Sequence, residues 1–209
     1  MKKRSRISLL LMAAAVVGLS GCIAWSNGKR QREMRKLSVQ SFERIEIAGN
    51  FDVVYEQGPE HKVWVEGTKR QLDALEVKND GTTLSLGMKK LRLDGLGGSI
   101  AISIASPDLV SVGLSGNGDF ETRGKIDTDV MRVRLTGNGD MTINSLICDE
   151  LFVELTGNGD IEVKNLIAGS THLQLTGNGD IEVNGRTRSL EQQKMGNGDI
   201  DIERLSVTK

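Results

Sequence analysis

Gly116-Asn117-Gly118-Asp119, Gly137-Asn138-Gly139-Asp140, Gly157-Asn158-Gly159-Asp160, Gly177-Asn178-Gly179-Asp180 and Gly196-Asn197-Gly198-Asp199 are five copies of one string, spaced by 21, 20, 20 and 19 residues. Self-similarity at such a period is the mark of a solenoid, propeller or array. Aligned on the string, the flanks fall into columns. Two residues before it stand Leu114, Leu135, Leu155 and Leu175, and four before it stand Val112, Val133, Val153 and Leu173. Just after it come Phe120, Met141, Ile161, Ile181 and Ile200, then Thr122, Ile143, Val163, Val183 and Ile202 two residues further on. Polar residues fill the alternate positions, so each unit is strand, turn, strand, with one face of each strand buried.

Twenty residues is half of what a propeller blade needs, which is roughly 40. It suits one coil of a β-solenoid, in which equivalent residues of successive coils stack about 4.8 Å apart. Five hairpins in a meander would also satisfy the alternation, but would leave the identical turns unexplained. In a stack the glycines allow the bend. Asn117, Asn138, Asn158, Asn178 and Asn197 would form an amide ladder along it. A second corner is expected near residues 165–170. In the last unit Gln192 and Lys194 replace the apolar column, as a capping repeat requires.

Composition agrees with this reading. The 209 residues include 25 Gly, 2 Pro and 3% aromatics, which suits many tight turns around Ile, Leu and Val. Residues 1–36 hold nine Lys or Arg and one acid, which leaves 18 basic and 27 acidic residues beyond them, a net of −9. So acidic a body excludes nucleic acid as partner, since phosphate binding needs clustered cations.

The first 21 residues are an address. Lys2, Lys3, Arg4 and Arg6 precede an uncharged apolar run from Ile7 to Leu19, followed by Ser20-Gly21-Cys22. This order is that of a secretory signal, and the run is shorter than the roughly 20 residues of a membrane span. Leu19-Ser20-Gly21-Cys22 resembles a bacterial lipobox, which implies that Cys22 becomes the first mature residue and carries lipid that tethers the protein to an envelope membrane, the outer membrane in first place. Residues 22–38, with Lys29, Arg30, Arg32, Arg35 and Lys36, form the expected tether, solvated beside anionic lipid. Cys148 is then the only other mature cysteine, so no disulfide is available, and it is expected as a small buried hydrophobe.

Residues 39–105 lack the full string but alternate in the same way, as in Val63-Trp64-Val65-Glu66, and Gly49-Asn50-Phe51-Asp52 is a degenerate corner. They are expected to form irregular first coils continuous with the array of residues 106–209, with a separate small β-domain as the second reading. A short helix is expected over residues 67–75, with Thr68 as its cap.

The segment Phe42 to Gly58, then Ser106-Pro107-Asp108-Leu109, then the recurring Leu-Thr-Gly-Asn-Gly-Asp resembles the GIN domain family, the putative auto-transporter adhesin head domain, frequent in Bacteroidetes lipoproteins. The resemblance covers about residues 39–202. It implies an all-β, single-stranded, right-handed parallel β-helix with an adhesin-like role, and it supplies no catalytic residues to carry over.

Chemistry is read chiefly at the corners. Asp119, Asp140, Asp160, Asp180 and Asp199 share an outward wall with Glu121, Glu162, Glu182 and Asp201. Charges 4.8 Å apart repel by about 0.9 kcal/mol in water and about 3.5 at an effective dielectric of 20. The first remedy is structural, each Asp accepting backbone N–H groups at its own corner. The second is calcium held by the five Asp, a calcium-stabilised roll, although the nonapeptide spacing of such rolls is missing. No other cofactor is expected. A polysaccharide-acting enzyme is the third reading, and repetition argues against it, because an acid and base pair needs unlike environments. His61 and His172 are far apart in sequence, so no metal cluster or catalytic triad is expected. Phe152 and His172 share an outward column with Ser111 and Arg132, a contact patch for an unknown protein or glycan ligand. Oligomeric state is left open.

Overall fold

The alternation that marks the repeats places every second side chain inside, and the burial follows it: Val133, Leu135, Val153, Leu155, Leu173 and Leu175 are all buried. The computed structural model describes residues 31–89 and 99–208. In chain order the elements are β1 (Arg32–Leu37), β2 (Arg44–Ala48), β3 (Phe51–Gln57), β4 (Lys62–Thr68), α1 (Lys69–Ala74), β5 (Leu75–Asn79), β6 (Thr83–Met88), β7 (Ile100–Ser106) and β8 (Ser111–Gly116). They continue with β9 (Asp119–Arg123), β10 (Ile126–Asp127), β11 (Val130–Gly137), β12 (Met141–Ile143), β13 (Leu146–Gly157), β14 (Ile161–Gly177), β15 (Ile181–Gly196), β16 (Ile200–Asp201) and β17 (Leu205–Val207). The result is a parallel β-solenoid with coils of about 20 residues, as the period predicts.

Each coil has three faces, one more than the two strands read from the sequence. A long face precedes the Gly-Asn-Gly-Asp corner, and along the stack it runs β6, β2, β8, β11 and then the later halves of β13, β14 and β15. A second face follows the corner, through β7, β3, β9, β12 and the starts of β14 and β15 to β16. A short third face carries β10 with Leu146, Leu166 and Leu205. The corner expected near residues 165–170 is thus two corners. At Lys164-Asn165 and at Gly169-Ser170 two successive residues escape burial, while Leu166 and Ala168 between them are buried. Asn165 Nδ2 donates to the Asn144 carbonyl at 2.8 Å and holds the first of them. Cys148 sits on the third face beside Ala168. It is buried, as expected, and burial pushes its thiol pKa up to about 12.

The first coils stack on the array, but out of chain order. β2 lies between β6 and β8, and β3 lies between β7 and β9. The layer made from β6 and β7 is therefore outside a layer that precedes it in the chain. Beyond it the strands turn antiparallel, with β5 on β6, β4 on β7 and β1 on β4. The helix is present, with Thr68 in a capping box with Gln71, which satisfies donors that a helix start leaves open.

The expected tether is folded over part of its length, since Arg32–Leu37 is β1. Its charges are matched by the cap rather than by solvent alone: Arg32 pairs with Glu66 at 2.9 Å and Arg35 with Asp73 at 3.0 Å. The signal segment, Cys22 and the rest of the tether to Arg30 lie outside the described residues. At the far end Gln192 and Lys194 stand over Leu173 and Leu175 and are exposed, the capping pattern expected.

Candidate functional site

At the repeated corner the two glycines do different work. Gly116, Gly137, Gly157, Gly177 and Gly196 have φ between +128° and +138°, a region unfavourable to side chains. Gly118, Gly139, Gly159, Gly179 and Gly198 do not, so only the first glycine of each string serves the bend through positive φ, and the expectation that both glycines allow it is corrected. The second glycine is required by proximity: a Cβ on Gly159 would land on the carbonyl oxygen of Gly139, and one on Gly179 on that of Gly159. Phe51 takes this position in the degenerate corner, against a neighbouring layer of β6 and β7 that carries no such string.

The amide ladder is present. Asn138 donates to Asn117, Asn158 to Asn138 and Asn178 to Asn158, each at 2.8 Å, and Asn197 to Asn178 at 3.1 Å. The carboxylates form a second ladder, but across coils and not within their own corners as expected. The backbone N–H of Asp140 donates to Asp119 Oδ1 at 3.3 Å, that of Asp160 to Asp140 at 3.1 Å, that of Asp180 to Asp160 at 2.9 Å and that of Asp199 to Asp180 at 2.8 Å. Partial burial raises the pKa of Asp119 and of Asp160 above the usual carboxylate range, neighbouring Asp residues add to the rise, and the accepted N–H bonds oppose it. With one oxygen of each inner Asp committed to the next coil, the corner is a structural spine. Among the described residues no three His, Cys, Asp or Glu side chains converge as metal ligands.

His61 and His172 serve separate surroundings. His61 Nε2 lies 3.1 Å from the Phe42 carbonyl oxygen, with the two rings edge to face. His172 belongs to the long face, where the stack turns the outward column of Ser111, Arg132, Phe152 and His172 into one continuous ladder that also takes in Glu191. The Arg132 guanidinium lies 4.9 Å from the centre of the Phe152 ring. The Phe152 and His172 rings stack at 4.8 Å with 9° between their planes, and His172 Nδ1 is 3.1 Å from Glu191 Oε2. In the outward column two residues nearer the corner, Arg134 donates to Glu154 at 2.8 Å. Together they line a shallow groove of about 720 Å³. Glu191 also stands five residues before its string, but Gln192 and Lys194 beside it mark its repeat as a decayed cap, which hides it as a member of the column.

The covered ring faces limit what the groove can do. Arg132 takes one side of Phe152 and His172 the other, so the rings offer their edges to a ligand. The remaining lining combines polar residues, among them Gln174 and Gln193, with Val133, Val153 and Leu173. Such a surface can offer hydrogen bonds repeated at the coil spacing, and the groove is open along the stack.

Residues 41–167 and 145–209 match a family described as putative auto-transporter adhesin, head GIN domain. Among solved structures, the chain is similar to a putative lipid binding protein of Parabacteroides distasonis, with 22% identity over 83% of this chain and 74% of that one and a TM-score of 0.76. It is similar to a putative adhesin of Bacteroides fragilis, with 22% identity over 83% and 97% of the two chains and a TM-score of 0.67. A putative adhesin of Parabacteroides merdae shares 18% identity over 84% and 96%, with a TM-score of 0.58. At these identities the likeness is one of fold. No curated protein matches the chain.

Proposed function

Because the chain belongs to the family of the putative auto-transporter adhesin head, the GIN domain, we propose that it is an adhesin-like binding module, not an enzyme, held at the cell envelope by lipid on Cys22. The observation that carries the binding role is the ladder Arg132, Phe152, His172 and Glu191 along the groove of the long face. It lies where the repeats depart from uniformity: beside the corner the outward columns are mostly Ser or Thr before it and Glu, Thr or Asp after it, whereas Arg132, Phe152, His172 and Glu191, and the next column of Arg134, Glu154, Gln174 and Gln193, change from coil to coil. A solenoid whose purpose was length alone would need no such set. The ligand is an extended polar polymer, a glycan strand in first place, lying along the stack.

The anchoring part rests on Lys2 to Cys22, a basic start, an apolar run and a lipobox-like end, an order that supports a mature domain outside the cytoplasm. A glycan and protein binding screen with the mature chain tests the first half. Arg132→Ala and Phe152→Ala are each expected to weaken the ligand found by about tenfold, the loss of one charged or stacked contact. A ligand whose affinity neither substitution changes places binding elsewhere. Membrane fractionation of Cys22→Ala tests the second half, with release into the soluble fraction expected and retention overturning it.

A further inference from the structure

The end of the solenoid at which the chain enters differs chemically from the body. On β1, Arg32, Met34 and Lys36 stand on the same side of the sheet as their partners Thr68, Glu66 and Trp64 on β4. That side is the second face, and it continues over Ser103 of β7 and Val54 of β3. Met34 is 54% exposed, and Lys36 Nζ lies 6.0 Å from the centre of the Trp64 ring. Among the described residues β1 pairs only with β4 and is the edge of their stack. Farther along the same face the sign changes, with Asp52, Asp119 and the rest of the carboxylate ladder.

Chain length and charge point to one occupant. Cys22 precedes Arg32 by ten residues, a span of at most about 36 Å when fully extended. Residues 23–36 carry five Lys or Arg against one acid. A lipid on Cys22 therefore keeps this end within reach of a bilayer. An indole beside an ammonium group suits the headgroup layer, where the apolar ring meets the acyl boundary and the polar tips stay wet. Anionic lipid attracts the cations and repels the acidic coils beyond them.

On the lipid-anchored reading given above, we propose that the patch of Met34, Lys36 and Trp64 docks on the anionic surface of the membrane, so that the solenoid meets the bilayer at the capped end of its second face, tilted to hold the carboxylates farther along that face off the surface. The interaction is read on the mature chain carrying Cys22→Ser, which takes no lipid, and Trp25→Phe, which leaves Trp64 as the one indole of the two in the sequence. Vesicles of phosphatidylcholine alone are compared with vesicles that also contain phosphatidylglycerol. Trp64 emission is expected to shift to the blue and the protein to co-sediment with the anionic vesicles only. Lys36→Glu is expected to weaken that partitioning at least about fivefold, the effect of about one basic group, and Trp64→Phe with Met34→Gln to weaken it further. Binding without an emission shift, or binding that ignores these substitutions but falls with Lys29→Glu and Arg30→Glu, assigns the attraction to the segment before β1 and overturns the proposal. So does an absence of binding to anionic vesicles. Since the tested chain carries no lipid, none of these outcomes depends on whether Cys22 is lipidated in the cell, which fractionation decides separately.

Discussion

At the residue scale the corner combines two glycines that are needed for unrelated reasons. Gly159 has ordinary backbone angles, yet a Cβ there would meet the backbone of the coil below, which cannot swing aside. Gly159→Ala is therefore expected to cost roughly 3 kcal/mol or more in urea unfolding, at the upper end of what overpacking costs. The carboxylates give a different prediction. Asp119 and Asp160 are held above the usual range mainly by burial, so the folded state binds their protons more readily than the unfolded chain does. The stability they contribute is fully present below the unfolded carboxylate value and is lost as pH rises through the raised folded value. Asp160→Asn keeps an acceptor for the Asp180 N–H and removes the charge. It is expected to be at least as stable as the parent at pH 7, with the difference shrinking in acid, when melting is followed against pH. Asp160→Ala removes the acceptor as well and is expected to cost about 1 kcal/mol.

At the element scale the coil is held by ladders, and a ladder is weakest where its middle is cut. Asn158 both donates to Asn138 and accepts from Asn178, whereas Asn197 only donates. Asn158→Ala is expected to lower stability by about 1–2 kcal/mol and Asn197→Ala by about half of that, as measured by chemical unfolding. This scale also shows what sequence can and cannot reveal. The amide ladder and the two long strands could be read from the string and its columns, because identical turn chemistry has one economical explanation. The third face could not, since it offers only Leu146 and Cys148, or Leu166 and Ala168, and the outward residue between each pair is itself apolar, Ile147 or Ile167, so no alternation stands out. β1 was missed because Arg32, Glu33, Arg35 and Lys36 look solvated until the cap that pairs with Arg32 and Arg35 is in place. The groove was half visible, in that the column of Ser111, Arg132, Phe152 and His172 was evident but its stacking required coil register.

At the scale of the whole molecule the two ends are finished differently. One is covered by antiparallel strands and α1, and the other by a coil whose inward positions turn polar at Gln192 and Lys194. Lys194 also reaches Asp199 at 2.9 Å. Polar and charged side chains at an open edge deter pairing with another chain. Gln192→Val with Lys194→Leu restores the repeat pattern to that edge and is expected to produce end-to-end self-association, detected by sedimentation velocity against the parent. The order of coils at the other end, with β2 between β6 and β8, was beyond the reach of pattern reading. Ile45 and Ile47, Leu84 and Leu86, and Val112 and Leu114 all fill the same two inward columns, so alternation names the face of each strand and not its neighbour.

That interleaved end bears on how such a protein can change in length over generations. A gene duplication within residues 44–123 would have to add strands to both sides of β2 and β3 at once, and a partial copy would leave a layer without its mate. A copy of residues 141–160, in contrast, starts and stops at equivalent points of consecutive coils and slips into the stack like one more tread on a stair, raising the far end by about 4.8 Å. The molecule is thus a fixed plinth carrying an adjustable column, and because residues 141–160 include Phe152 and Glu154 of the groove, each added coil would lengthen the groove by one step.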